Sequence, residues 1–344
     1  MTESLNPFEG IENKTRRVTA PGIDSLIGKK FPVLSDGFIS VVGYMGDESS
    51  IVQAARVSYG AGTKKVSEDR GLIRYLLRHN HGTPIEMCQI KLHIRIPMDA
   101  WRQWVRHRSF SINEYSTRYS EAIDSQDTTK PDEWRKQGKG NKQGSFGTVE
   151  EWPDVWSVPE YFEAGLKAEL GGGTPGEYLT HREKTLHVFA KEIYQERITF
   201  GVAREVARKD LPLSTYTEAY WCGNLRNLLH FLGLRMDSHA QKEIRDYADI
   251  IGKEIVAKWV PNVWEAFNDY HPLRDAISFT APEVAALKLS NESANEGVVF
   301  ESFPVHFLPD EWRKAKKKGA GLTRNRERDE FAEKLRSIGI KPGW

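Results

Sequence analysis

The segment Gln89–Ile96, QIKLHIRI, constrains the fold more than any other stretch of the chain. Ile90, Leu92, Ile94 and Ile96 alternate without a break with Lys91, His93 and Arg95. Side chains of a strand point to opposite faces in turn, so this pattern makes a half-buried strand and fits no helix. Pro97 ends it, because proline has no amide hydrogen to give a sheet. FISVVGYMG (38–46) reads as a second, buried strand, and NEYSTRYSEA as a further extended segment. Ser49 to Tyr59, Ser67 to Arg78 and the short MDAWRQWVRHR read as helices. The last of these places Trp101, Trp104 and Val105 on one face. Three more helices are expected at about 179–207, 217–233 and 238–259. Leu186, Phe189, Ala190 and Ile193 form the apolar face of the first, and Asp237 or Ser238 caps the third. A sheet with segregated helices points to an α+β architecture.

The 344 residues allow one large domain or two ordinary ones. A net charge of +1 excludes global attraction to nucleic acid or to an anionic membrane, so any anion must be bound locally. The basic run 313–328 reads as a solvated charge run rather than a nucleic-acid surface. Two cysteines, Cys88 and Cys222, make no disulfide framework. Residues 1–30 lack an apolar leader, and no run reaches the roughly 20 apolar residues needed to span a bilayer. A cytoplasmic location is expected. Residues 124–155 are almost free of aliphatic side chains and read as a surface insertion, with GGGTPGE (171–177) as a second break. Periodicity weakens after Tyr270.

The chemistry concentrates in RHRSFSINEYSTR, Arg106 to Arg118. Arg106 and Arg108 present forked, permanent cations to an anion such as phosphate, and Ser111 and Ser116 add neutral donors. Glu114 would repel phosphate, so it must face a ribose hydroxyl, a base N–H or a neighbouring arginine. Arg204 and Arg208 sit one helical turn apart, with Glu205 and Asp210 as alternative partners. Asn224, Arg226, Asn227 and His230 share a helical face, with His230 readable as a packed core histidine. Arg235 precedes His239, which falls in the next helix's first turn. His79, His81 and His93 are not accompanied by HExxH, CxxC or a carboxylate triad, so no metal is expected. Neither cysteine has the setting of a nucleophile; Cys222 reads as lying inside a helix. No GxGxxG or P-loop frame is present.

RHRSFSINEYSTR matches the signature RHRxxSxNExSxR of the flavin-dependent thymidylate synthases (the ThyX family) at every specified position. AARVSYG (54–60), HGTP (81–84), the run from Ala203 to Thr217 and LRMDSHAQ (234–241) also resemble family blocks, in family order. The resemblance implies a central, mainly antiparallel sheet flanked by helices. It assigns residues 1–270 to catalysis, with an insertion at about 124–178, and leaves 271–344 as an extension without a role. It further implies a homotetramer with active sites between subunits, each holding FAD. The reaction implied is the methylation of dUMP to dTMP. 5,10-Methylenetetrahydrofolate supplies the carbon and leaves as tetrahydrofolate, and NADPH supplies the hydride through the flavin. Carried over by position, the FAD set is Ser58, Thr83, Arg106, His107, Arg108, Glu114, Asn224, Arg226, His230 and His239, with His81 near the flavin. The dUMP set is Gln103, Arg106, Glu114, Tyr115, Ser116, Thr117, Arg118, Arg208 and Arg235. Arg235, Ser116 and His81 would be catalytic, with Arg235 favouring the ionised base. His230 stands where some members have Asn.

Overall fold

The computed structural model describes residues 18–57, 66–138, 144–152, 173–271, 276–295, 298–314 and 321–344. The chain divides into two compact units, Met1–Arg274 and Asp275–Trp344.

The first unit is built on a five-stranded sheet in the order β1-β2-β3-β7-β4. The strands are β1 (Lys30–Val33), β2 (Gly37–Met45), β3 (Gln89–Pro97), β4 (Ser111–Glu114) and β7 (Tyr216–Asn224). Every neighbouring pair is antiparallel. β3 is central, and its alternation holds: Ile90, Leu92, Ile94 and Ile96 are buried under the helices. On the opposite face His93 and Arg95 both reach Glu218, at 2.8 and 3.2 Å. The covering helices are α2 (Glu48–Ala55), α3 (Val66–Arg78), α4 (Met98–Trp104), α7 (Leu225–Arg235), α8 (Lys242–Ile250) and α9 (Pro261–Tyr270); a short α1 (Pro21–Asp24) precedes them. Trp104, Trp221, Phe231 and Tyr247 interlock at the centre. Burying each such ring contributes about 1.5–3 kcal/mol. α2 is opened by a capping box between Asp47 and Ser50. No helix among the described residues is long and apolar enough to cross a membrane.

The structure changes several expectations. Residues 216–224 form the strand β7, and only Leu225–Arg235 is helical. Thr217, Ala219 and Trp221 are buried while Tyr220 is exposed, a period of two. β-Branched and aromatic residues favour that pleated surface, and β3 on one side and β4 on the other complete its hydrogen bonds. Cys222 is therefore in a strand, not a helix. α2 stops at Ala55 instead of Tyr59. Strand β4 ends at Glu114, and the chain turns so that the Ser116 carbonyl accepts from the Tyr119 and Ser120 amides at 3.2 Å each. The long helix α5 runs Pro175–Thr199 and is followed by a separate turn, α6 (Arg204–Ala207). Its inward residues are Tyr178, His187, Ala190 and Tyr194, whereas Leu186 and Phe189 are 55% and 60% exposed. α8 starts after Gln241, so neither Asp237 nor Ser238 caps it, and His239 lies in the preceding turn rather than in a helix. Asp237 instead accepts from the His239 amide at 2.8 Å. Below Ile250 the helix continues as a π segment, Ile251–Val256, and ends at Trp259.

Within the stretch expected as an insertion, β5 (Arg135–Gln137) and β6 (Ser145–Thr148) pair as an antiparallel hairpin. It is tied down by Arg135, which donates to both Glu243 oxygens at 2.8 and 2.9 Å. Trp134 Nε1 also donates to the Thr180 hydroxyl at 2.9 Å.

Among the described residues of the second unit, the helices α10 (Ala281–Asn295) and α11 (Arg326–Ser337) and a 3-10 turn, Val305–Phe307, surround a core of Phe303, Phe307, Trp312 and Phe331. Weak periodicity hid them because so small a core buries few positions per turn. The deeply buried carboxylate of Glu283 accepts from Lys334 Nζ at 2.9 Å. Arg328 donates to the Trp312 and Thr323 carbonyls.

Candidate active site

The motif Arg106–Arg118 begins where α4 ends and runs into edge strand β4. Phe110 places it. Its ring stacks on Trp221 with centroids 3.7 Å apart and planes 19° from parallel. Gly223 makes this possible, since a Cβ there would lie 2.1 Å from Phe110 Cδ1. Neither Phe110 nor Gly223 stood out in the sequence, because both serve the site only through each other. Asn224 caps α7 by accepting from the Asn227 amide, and Asn227 Nδ2 then donates to the Ser109 carbonyl at 3.1 Å.

These contacts shape a cavity of about 320 Å³ lined by Arg106, His107, Arg108, Asn227, His230 and Arg235, together with three residues that carry no charge. Among the described residues no carboxylate lines it. Among the described residues Arg106 and Arg108 have no ion-pair partner. Arg235 is half-buried, and burial lowers its guanidinium from the ordinary value. Its Nε donates to His107 Nε2 at 3.0 Å. His107 is buried against the edge of Phe231. Burial, then Arg235, then His230 push the imidazole down to about 4, so it is neutral at pH 7.

His230 is exposed, which removes the packed-core reading. It also lines a neighbouring cavity of about 190 Å³ with His81, Gly82, Arg226 and Tyr270. Asn80 takes the left-handed conformation there, at φ 57°. Arg226 lies over Gly82 and donates to Glu86 at 2.6 Å. Thr83 opens the following 3-10 turn, Thr83–Met87.

A third cavity, about 760 Å³, gathers Glu114, Tyr115, Ser116, Thr117, Arg118 and Arg208, floored by Trp101 and Thr217. Arg208 donates to the Thr117 hydroxyl. Glu114 accepts from the buried Thr217 hydroxyl at 2.9 Å, a partner the sequence did not reveal. Arg118 meets Glu205 at 3.2 Å with both side chains more than half exposed, a pair worth little in water. Asp210 pairs with Arg197 at 2.6 Å, and Arg204 donates to the Tyr119 carbonyl, so neither Arg204 nor Arg208 takes the alternative pairing with Glu205 or Asp210. Tyr115 donates its amide to the Glu218 carbonyl and its hydroxyl to the Glu121 carbonyl. Among the described residues nothing bonds the Ser116 hydroxyl.

Two predicted residues sit apart. Gln103 donates to Gln241, which donates to Asp99 at 3.1 Å; burial first, against the bonds from Ala100 and Gln241, raises that carboxyl. His239 pairs with Asp237 at 2.9 Å and lines a separate cavity of about 380 Å³ beside the β5–β6 hairpin. Ser58 lies outside the described residues.

A family profile described as "Thymidylate synthase complementing protein" matches residues 40–262. A flavin-dependent thymidylate synthase of Rickettsia typhi is 45% identical over 282 residues, covering 82% of this chain and 92% of that one. One from Wolbachia pipientis wMel is 42% identical over 279 residues, covering 81% and 90%.

The chain belongs to the flavin-dependent thymidylate synthases.

Among solved structures, the UMP/dUMP methylase PolB from Streptomyces cacaoi, bound with 5-Br dUMP, is 29% identical. It covers 70% of this chain and 98% of its own length, with a TM-score of 0.57. The antiparallel sheet flanked by helices is thus the family's architecture, and the chain is a flavin-dependent methyltransferase that makes thymidylate.

Proposed function

We propose that the chain converts dUMP to dTMP with FAD as its flavin. 5,10-Methylenetetrahydrofolate is the one-carbon donor, NADPH the reductant and tetrahydrofolate the folate product. The observation that carries this reading is the cavity at Arg106, His107, Arg108 and Arg235, where cations converge and no carboxylate competes. Exposed guanidinium forks such as Arg106 and Arg108, without ion-pair partners among the described residues, fit the diphosphate of a dinucleotide, so the donor set suits FAD. Arg226, His230, Asn224, Thr83 and His81 would hold the rest of it, with His239 and Glu114 completing the set.

A bound flavin supplies two-electron redox chemistry. The protein must hold and activate the base. Arg208 and Arg118 would take the dUMP phosphate, the latter releasing its weak pairing with Glu205. Tyr115, Ser116 and Thr117 offer the neutral donors of the same wall. Glu114, fixed by Thr217, would accept from a ribose hydroxyl or base N–H, since a carboxylate repels phosphate. Arg106 would meet the base from the helix end, and Gln103 would join it on releasing Gln241.

Carbon 5 of uracil is a weak nucleophile and needs activation. No thiol is placed to add at carbon 6. Cys88 is buried, its Sγ donates to the Asp47 carbonyl at 3.2 Å, and burial pushes it up to about 12. Neither cysteine lines any of the cavities described above. Arg235 would instead stabilise the negative charge that develops on the uracil oxygens, which is electrostatic rather than covalent activation.

In one protomer the proposed residues open onto separate cavities, and Leu186 and Phe189 leave an apolar stripe on α5. Both observations support a homotetramer with sites shared between subunits. We assign the reaction to the unit ending at Arg274 and to the cytoplasm, where Cys88 and Cys222 stay reduced. We give no step to the unit from Asp275 onward. The test is incubation with dUMP, methylenetetrahydrofolate, NADPH and FAD. dTMP and tetrahydrofolate are expected; dihydrofolate as product, or no dTMP, refutes the reading.

A further inference from the structure

Arg235 is the last residue of α7, and its side chain reaches the end of α4. A cation drawn out of water ordinarily meets a carboxylate, because burial without a partner costs free energy. Among the described residues no carboxylate bonds it. Its Nε donates to His107 Nε2 at 3.0 Å, and Nη2 points at the Gln103 carbonyl from 3.5 Å. A guanidinium nitrogen can only donate, so His107 Nε2 must be the lone-pair nitrogen and the ring proton sits on Nδ1. The ring cannot swing freely: it is 9% exposed, with its centroid 4.9 Å from that of Phe231.

We propose that His107 is a positioning residue for Arg235, orienting the guanidinium through a neutral acceptor so that its full positive charge remains for the uracil anion. The inference rests on the thymidylate synthase reading above. An acidic partner at the same nitrogen would orient Arg235 equally well, but it would cancel the charge on which activation of the base depends. A neutral acceptor gives the orientation without the cancellation. The depressed basicity of His107 fits this role, because protonation would remove the acceptor and set two cations side by side.

The experiment compares His107→Gln with His107→Glu in the full-length holoenzyme. Both place an oxygen near the position of Nε2 and match in shape, but only Glu adds a negative charge. Three quantities are read, each normalised to bound flavin: dTMP turnover, dUMP affinity by calorimetry, and the ultraviolet difference spectrum of bound dUMP, which reports ionised uracil. His107→Gln should keep turnover within about tenfold of the parent and keep the spectral shift. His107→Glu should lose at least about a hundredfold in turnover and lose the shift, while dUMP binding through its phosphate changes little. Equal loss in both variants would mean that ring shape alone matters, and would overturn the proposal. So would a Glu variant as active as the Gln variant. A parent enzyme that makes no dTMP would instead sink the underlying functional reading, which separates the two failures.

Discussion

Replacing Gly223 with alanine tests how the arginine-rich loop is held. The new methyl would stand 2.1 Å from Phe110 Cδ1 and 2.4 Å from Cε1. Carbon contacts become favourable only at about 3.5–4.0 Å, so the ring has to move by more than about 1 Å. The neighbouring Trp221 is fully buried and cannot follow. The stack at 3.7 Å is therefore lost. Such a stack is worth about 0.5–1.5 kcal/mol beyond the area it buries, and overpacking typically costs about 1–3 kcal/mol. Alanine in place of glycine in a strand would by itself gain about 0.5–1 kcal/mol, so the sign of the result is informative. We expect a net loss of about 1–2 kcal/mol in urea unfolding and weaker flavin binding, because Phe110 carries Arg106 and Arg108 with it. The double mutant with Phe110→Ala should be no less stable than Phe110→Ala alone, since the clash is gone. Simple additivity of the two changes, or a Gly223→Ala protein with undiminished stability and flavin affinity, would refute the argument.

Arg235→Ala should retain flavin yet lose dTMP formation by at least about a hundredfold, comparable to removing an oxyanion-stabilising donor; near-normal turnover would remove Arg235 from the chemistry. Thr217→Val should raise the KM for dUMP more than it lowers kcat, because it frees the Glu114 carboxylate from its 2.9 Å bond; an unchanged KM would show that Glu114 does not meet the substrate. His107 titrates at about 4 in the folded chain against 6.5 ordinarily, so the unfolded chain binds more protons between those values. Its contribution to stability is full above pH 6.5 and falls as pH drops through that window. Urea unfolding at a series of pH values should show this loss in the parent and a shallower one in His107→Gln; parallel curves would reject it.

Sequence alone determined those features that depend on near neighbours along the chain. β3 was legible because a period of two over Gln89–Ile96 admits one local conformation, and the structure buries the expected face. The motif from Arg106 to Arg118 was legible because fixed charges at fixed spacing are written in order, and the family comparison agrees with it. Only the tertiary structure decided what depends on distant contacts. Residues 216–224 became a strand because β3 and β4 were there to satisfy their backbone groups. The outward turn of Leu186 and Phe189 could not be read from periodicity, which marks an apolar face without naming what it meets. The pairing of Arg235 with His107 joins positions 128 apart in the chain. Burial, which sets the charge state of that ring, is a property of everything packed around it and of no single residue.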